Sequence, residues 1–267
     1  MREVPARLAR ALDDLHFAGV CAAIDTLDPG PRRETAIGHA AKRLQGLPDG
    51  DRTSPYAWDW RTPVAPPCWP LVRALRVEEA GVDDDAVARW CVRLPLERLT
   101  HIELAANRLG DEGLARLAFS PHLVRLVSLA LSENPLTHRG VEALARGPRA
   151  AGLHRLRLSN TPIGAAGFEV LGRATAMRRL RALDLHGCEP GVEGLRALGR
   201  ARHFTALRML DLRGCAITDR GLAALLEGPL PARLTALQMG ENPLGDEGVA
   251  RLRAWAARHP SVAVTTT

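Results

Sequence analysis

The sequence predicts an α/β fold: a solenoid with a concave parallel β-sheet, α-helices on the convex face and a helical cap at the N-terminal end. Three observations predict it. Leu104, Leu131, Leu158, Leu185, Leu212 and Met239 follow one another at an interval of 27 without one insertion. Each lies in a short stretch of period two, the signature of a strand, and is followed by a segment such as Gly113-Leu114-x-x-Leu117 with helical spacing. Aromatic residues make up only 4% of the 267, against 46% apolar residues, so the core must be aliphatic and built of many small layers. A unit of this kind buries its apolar face only against its neighbours.

Residues 4 to 27 read as a helix, with Leu8, Leu12 and Leu15, then Val20, Ile24 and Leu27, at helical spacing around a weak point at Gly19. Asp28-Pro29-Gly30-Pro31 ends it, and a second helix is expected from Arg33 to Leu44. From Gly46 to Pro70 runs a proline-rich connection that holds Tyr56, Trp58, Trp60 and Trp69. An open solenoid end exposes an apolar layer, so these aromatics are expected to cover the first repeat. Recruitment of another protein by exposed tryptophans is the competing reading. One period back from Leu104 lies Val77, flanked by Val72, Leu75, Val82, Val87 and Trp90 on apolar positions; a further step reaches Gly50, where the pattern is absent. Beyond Met239, Val262 and Val264 still alternate as a last strand would. The expected division is a cap with its aromatic-rich linker over 1–71, an array over 72–260 and a C-terminal strand or tail over 261–267.

The clearest unit, Leu99-x-x-Ile102-x-Leu104-x-x-Asn107-x-Leu109, resembles the leucine-rich repeat. Its continuation Leu109-Gly110-Asp111-Glu112-Gly113-Leu114, repeated nearly unchanged from Leu244, resembles the ribonuclease-inhibitor-like or cysteine-containing subclass, which implies a true α-helix in every unit. Where each strand ends, the backbone leaves the sheet and needs a small polar side chain to satisfy it. Asn107, Asn134, Thr161, Cys188, Cys215 and Asn242 occupy that position and are expected to form a structural ladder. For Cys188 and Cys215 a disulfide or metal pair is the minor alternative. Pro190 departs from the pattern, standing where other units have Leu109 or Ile217.

A net charge of +6 and a pI near 9.7 invite a nucleic-acid reading. Against it, arginines are interleaved with acids in every unit and no basic run is joined to stacking aromatics. Lys42 is the single lysine, a bias of the kind a GC-rich bacterial genome produces. Five cysteines without close pairing argue against a secreted disulfide framework, Met1-Arg2-Glu3-Val4-Pro5 lacks the apolar stretch of a signal peptide, and no run approaches the ~20 apolar residues of a membrane span. A cytoplasmic setting is expected. The Gly-x-x-x-x-Gly-Lys-Ser/Thr cradle, His-Glu-x-x-His, Cys-x-x-Cys and Gly-x-Ser-x-Gly are all missing from the sequence, so no enzyme, cofactor or metal is expected.

Strand residues flanking the core leucines point outward into the concave groove. Charge concentrates around Leu158, Leu185 and Leu212, where Arg155, Arg157, Asp184, His186, Met209, Asp211, Arg213 and Gln238 form the candidate partner-binding surface. As a purely structural feature the patch would be a solvated set of cross-strand ion pairs, Arg157 with Asp184 and Asp211 with Arg213. As a functional one it would recognise a protein. An Asp184/His186 catalytic pair lacks an accompanying nucleophile. The expected function is a non-catalytic, monomeric protein–protein interaction scaffold. The alternative, implied by resemblance to the Ran GTPase-activating protein, is a small-GTPase activator in which Arg155 or Arg157 would stabilise phosphoryl charge.

Overall fold

The computed structural model describes residues 6–13, 16–53, 58–62 and 64–266. Three helices come first: α1 (Ala6–Asp13), α2 (Phe17–Asp25) and α3 (Pro31–Arg43). Strand and helix then alternate as β1 (Ala74–Arg76), α4 (Asp84–Arg93), β2 (His101–Glu103), α5 (Asp111–Phe119), β3 (Ser128–Ala130) and α6 (His138–Arg146). The alternation continues through β4 (Arg155–Arg157), α7 (Gly164–Arg173), β5 (Ala182–Asp184), α8 (Gly191–Gly199), β6 (Met209–Asp211), α9 (Asp219–Leu226), β7 (Ala236–Gln238), α10 (Asp246–Arg258) and β8 (Ala263–Thr265).

All eight strands form one parallel sheet in sequence order, and each neighbouring pair is offset by 27 residues, as in Leu156↔Leu183 and Leu183↔Leu210. The expected α/β solenoid is therefore the fold observed. Parallel pairing requires a crossover, and the helices supply it, packing one against the next on the outside. Leu75 through Leu237 at the strand centres and Leu104 through Met239 just past them are buried in one continuous aliphatic core. Val77 is half-buried, and β8 extends the same register to Ala263.

After each of β1 to β7 the chain bends through one residue in left-handed conformation: Glu79, Ala106, Glu133, Asn160, Gly187, Gly214 and Glu241, with φ between 51° and 68°. Only two of these are glycine, so the other five carry a backbone cost of order 1 kcal/mol that the surrounding turn must offset. A second glycine column lies in the helices. A Cβ on Gly248 would stand 2.1 Å from Asp219 Oδ1, so the absence of a side chain there admits the preceding unit. Asp219 uses that proximity to accept the Gly245 N–H at 2.9 Å; Asp84 does the same for Gly110 at 2.6 Å and Asp111 for Thr137 at 2.8 Å. His138, Ala165 and Val192 hold this position in the middle of the array, where the carboxylate staple is replaced.

The N-terminal region departs from expectation in detail. The long helix is two helices, and the break falls before Phe17 rather than at Gly19. Gly19 lies inside α2, where an added Cβ would come within 3.2 Å of Ala11 Cβ and 2.9 Å of His16 Nδ1; it lets α1 and α2 approach. Helix α3 starts at Pro31, where a missing N–H costs nothing, and continues past Arg43 as a 3-10 turn over Leu44–Gly46. Residues 1 to 5, Leu15 and Tyr56 lie outside the described residues. Trp58 packs on Trp69 and Trp90 at 5.2 and 5.8 Å between ring centres, and Trp60 meets Trp90 edge-on at 6.5 Å. The Trp90 indole N–H donates to the Trp60 carbonyl at 3.0 Å, so this segment sits directly on the helix of the first repeat.

Sheet-type bonding also reaches further upstream than the period implies. Thr53 bridges Ala74 in parallel, and the Arg52 carbonyl accepts the N–H groups of Arg73 and Ala74 at 2.8 and 3.0 Å. The Arg73 carbonyl forks in the same way onto Thr100 and His101 at 2.8 and 3.1 Å. Arg52 stands 21 positions before Arg73 instead of 27, which is why the repeat pattern is absent one period back, at Gly50.

Candidate functional site

The turn position after each strand binds backbone across the repeat boundary. Asn134 donates from Nδ2 to the Leu104 carbonyl at 2.7 Å and accepts the Leu109 N–H on Oδ1 at 2.9 Å. Asn107 reaches the Val77 carbonyl at 2.7 Å and Asn242 the Leu212 carbonyl at 2.8 Å. Cys188 and Cys215 make the equivalent contact through sulfur, to Leu158 and Leu185 at 3.2 and 3.1 Å. Thr161 is too short to cross: its hydroxyl turns back to the carbonyl of Leu158 in its own unit at 2.5 Å. Burial pushes the Cys215 thiol up to about 12 and raises Cys188 as well, and all five cysteines are free thiols.

The same ladder accounts for Pro190. In the units where an asparagine follows, it takes the N–H at this point: Val82 is bonded by Asn107, Leu109 by Asn134 and Ile217 by Asn242. Opposite Pro190 stands Cys215, which offers no carbonyl and spends its thiol on Leu185. A residue without an N–H therefore loses no partner, and α8 starts immediately afterwards at Gly191.

Above this frame the concave face is shaped by side-chain size. Ala182 on β5 lies between Arg155 on β4 and Met209 on β6, and Ala236 on β7 follows. Tall neighbours around a low floor leave a hollow of about 290 Å³, lined among others by Arg155, Arg157, Asp184, Met209, Asp211 and Gln238. Met209 is 50% exposed there, a large apolar side chain in a polar setting. His186 and Arg213 sit one position nearer the turns and do not line the hollow.

Two electrostatic expectations are corrected. Arg157 and Asp184 are register partners, but no ion pair joins them. Asp184 instead accepts the backbone N–H of His186 at 3.1 Å. The Asp211–Arg213 pair does form, but within one unit, between the end of β6 and its turn: Asp211 accepts the Arg213 N–H at 3.0 Å and holds the guanidinium on both oxygens, at 2.6 Å from Nη2. The cause is geometric, since residues two apart share a face and the turn aims the second N–H back at the first carboxylate. Both aspartates are half-buried and neither projects freely. Among the described residues a cross-strand ion pair lies on β1 and β2 instead, between Arg76 and Glu103 at 2.5 Å.

Among the described residues no group of three or more His, Cys, Asp and Glu side chains could hold a metal ion, and no helix is long and apolar enough to cross a membrane. A family model described as "Leucine Rich repeat" matches residues 99–118, 205–226 and 234–252. No curated protein matches the chain. Among solved structures, the chain is similar to an internalin from Listeria monocytogenes at 15% identity and a TM-score of 0.42, over 74% of this chain and 62% of that one. The three matched segments share their 27-residue register with every other strand of the sheet. The chain carries leucine-rich repeats in those three segments and folds as a leucine-rich-repeat solenoid.

Proposed function

We propose that this protein is a non-catalytic interaction scaffold that binds a protein partner through its concave sheet. The observation that carries this reading is the hollow of about 290 Å³ on β4 to β7, where two exposed arginines, Arg155 and Arg157, and the half-exposed Met209 surround an alanine floor. An apolar anchor ringed by polar groups, with room for one inserted side chain, is the composition of an interaction hot spot. The repeat spacing and the Asn/Cys ladder support placement in the ribonuclease-inhibitor-like subclass, and the free thiols suit a reducing, cytoplasmic setting in which the chain acts as a monomer.

The test is a double substitution, Arg157→Glu with Met209→Ala, on the intact chain. Both side chains are exposed, so circular dichroism should be unchanged. Partner captured from a bacterial lysate by the unsubstituted chain should bind the variant roughly tenfold or more weakly, a loss of ~1.4 kcal/mol. Equal affinity would remove the concave sheet as the site. A GTP-hydrolysis assay with small GTPases addresses the second reading, which the exposure of Arg155 and Arg157 favours: stimulation lost in Arg155→Ala or Arg157→Ala would establish it.

A further inference from the structure

Charge is sorted across the strands of this sheet. The seven residues that lead into and begin each of β1 to β7 (68–74, 95–101 and so on to 230–236) contain ten arginines and one acid, Glu97. The ten residues from the end of each strand onward (76–85, 103–112 and so on to 238–247) contain seventeen acids and six arginines. Part of this follows from the helices, which run opposite to the strands. Their amino ends favour acids at the exit edge, and their carboxyl ends favour arginine at the entry edge. That influence fades within the last helical turn, yet Arg178, Arg179 and Arg181 lie five or more residues beyond the end of α7 at Arg173. They need another account.

The entry edge is exposed and short of counter-charge. Arg98, Arg125, Arg178, Arg179, Arg181, Arg208 and Arg233 are all exposed, and among the described residues none takes part in an ion pair. Glu97 is already engaged by His122 at 2.8 Å. The arginines feel one another: burial together with Arg181 and Arg179 holds His154 below its ordinary value, and burial with Arg52, Arg98 and Arg125 does the same to Arg73. Some are held in place, Arg208 by the Leu207 carbonyl at 2.8 Å and Arg233 by the Arg202 carbonyl at 3.2 Å. From Arg98 to Arg233 is five strand spacings, about 24 Å, the reach of about seven extended residues.

We propose that this arginine edge docks an acidic, Asp- and Glu-rich segment of a partner protein. Guanidinium forks pair carboxylates two bonds at a time, and a row of them matches an extended acidic chain. Single-stranded nucleic acid fits less well, because the aromatics on this edge, Trp69 and Phe204, are buried and leave no face for a base to stack on. An anionic membrane fits less well too, since among the described residues of these windows the exposed large apolar side chains are Val124 and Met209, and Met209 lines the concave hollow. None of these seven exposed arginines lines the concave hollow, so the proposal stands or falls independently of the scaffold reading.

The experiment is fluorescence anisotropy of a labelled peptide of about ten glutamates with the full chain at low salt. Binding is expected, weakening steeply as salt rises. The triple substitution Arg178→Gln, Arg179→Gln, Arg181→Gln should weaken it roughly tenfold. Removing equal charge from the outer helices, Arg146→Gln, Arg173→Gln and Arg251→Gln, should leave it within about twofold. Should the triple variant lose its native circular dichroism, Arg208→Gln with Arg233→Gln carries the same expectation. No binding, equal loss in the outer-helix control, or tighter binding of a single- or double-stranded oligonucleotide of matching charge overturns the proposal.

Discussion

Leu158 and Ser159 are adjacent, yet one is fully buried and the other faces the groove, its hydroxyl accepting that of Ser132 at 3.2 Å. Leu158→Asp would bury an unpaired carboxylate and should cost ~3 kcal/mol or more, while Ser159→Asp should stay within ~1 kcal/mol of the parent; denaturant unfolding of both measures the difference. Alternation of this kind is legible in sequence because strand period leaves no choice of face. Direction beyond Cβ is not, and that is where Arg157 and Asp184 misled: register placed them side by side, but the carboxylate found a nearer backbone N–H. The glutamates at left-handed turns were equally invisible, since nothing about Glu79 or Glu241 marks positive φ as glycine does at Gly187. Cys215 gives a pH test. Its thiol, held near 12 by burial, keeps its proton in the folded state while an unfolded thiol loses it at its ordinary 9.0. The folded state thus binds more protons, and stability should be intact below 9 and fall as pH rises toward 12. Thermal melts across that window should show the decline, and Cys215→Ser, whose hydroxyl does not titrate, should reduce it.

At the scale of the element, the turn is the part that couples one unit to the next. Asn134→Ala would orphan both the Leu104 carbonyl and the Leu109 N–H, at ~2–3 kcal/mol. Pro190→Ala should change stability by less than ~1 kcal/mol, because no acceptor waits for the N–H it would restore. Chemical denaturation of the two variants compares them directly. The Asn/Cys pattern was legible because spacing alone locates it; the tolerance of Pro190 was not, because it depends on which residue stands 25 positions later, in the neighbouring layer. The N-terminal helices were half legible. Their apolar spacing is clear, but Gly19 reads as a breaker when it is in fact a contact point between α1 and α2.

Across the whole molecule, the repeat period carried almost all of the architecture, down to the register of β8. It failed upstream of β1, where Arg52 extends the sheet-type bonding without sharing the interval. Removing residues 1–71 would strip Trp58, Trp60 and Trp69 from Trp90 and uncover the first layer. The shortened chain should aggregate or lose cooperative unfolding, which light scattering and calorimetry would report. Charge sorting was written in the sequence but hidden by reading along the chain: arginines look interleaved with acids until residues are grouped by their place in the unit.

That sorting gives the molecule an electric moment directed across its groove rather than along it. The backbone dipoles of the parallel outer helices run against this moment and offset part of it, because their positive amino ends lie on the acidic side. Something charged arriving from solution is therefore turned before it touches, and the torque selects one of the two ways a chain could lie between the rims. Ionic strength acts chiefly on this guidance. Encounter with an acidic peptide should slow as salt shortens the range of the field, while escape, governed by contacts already made, changes far less.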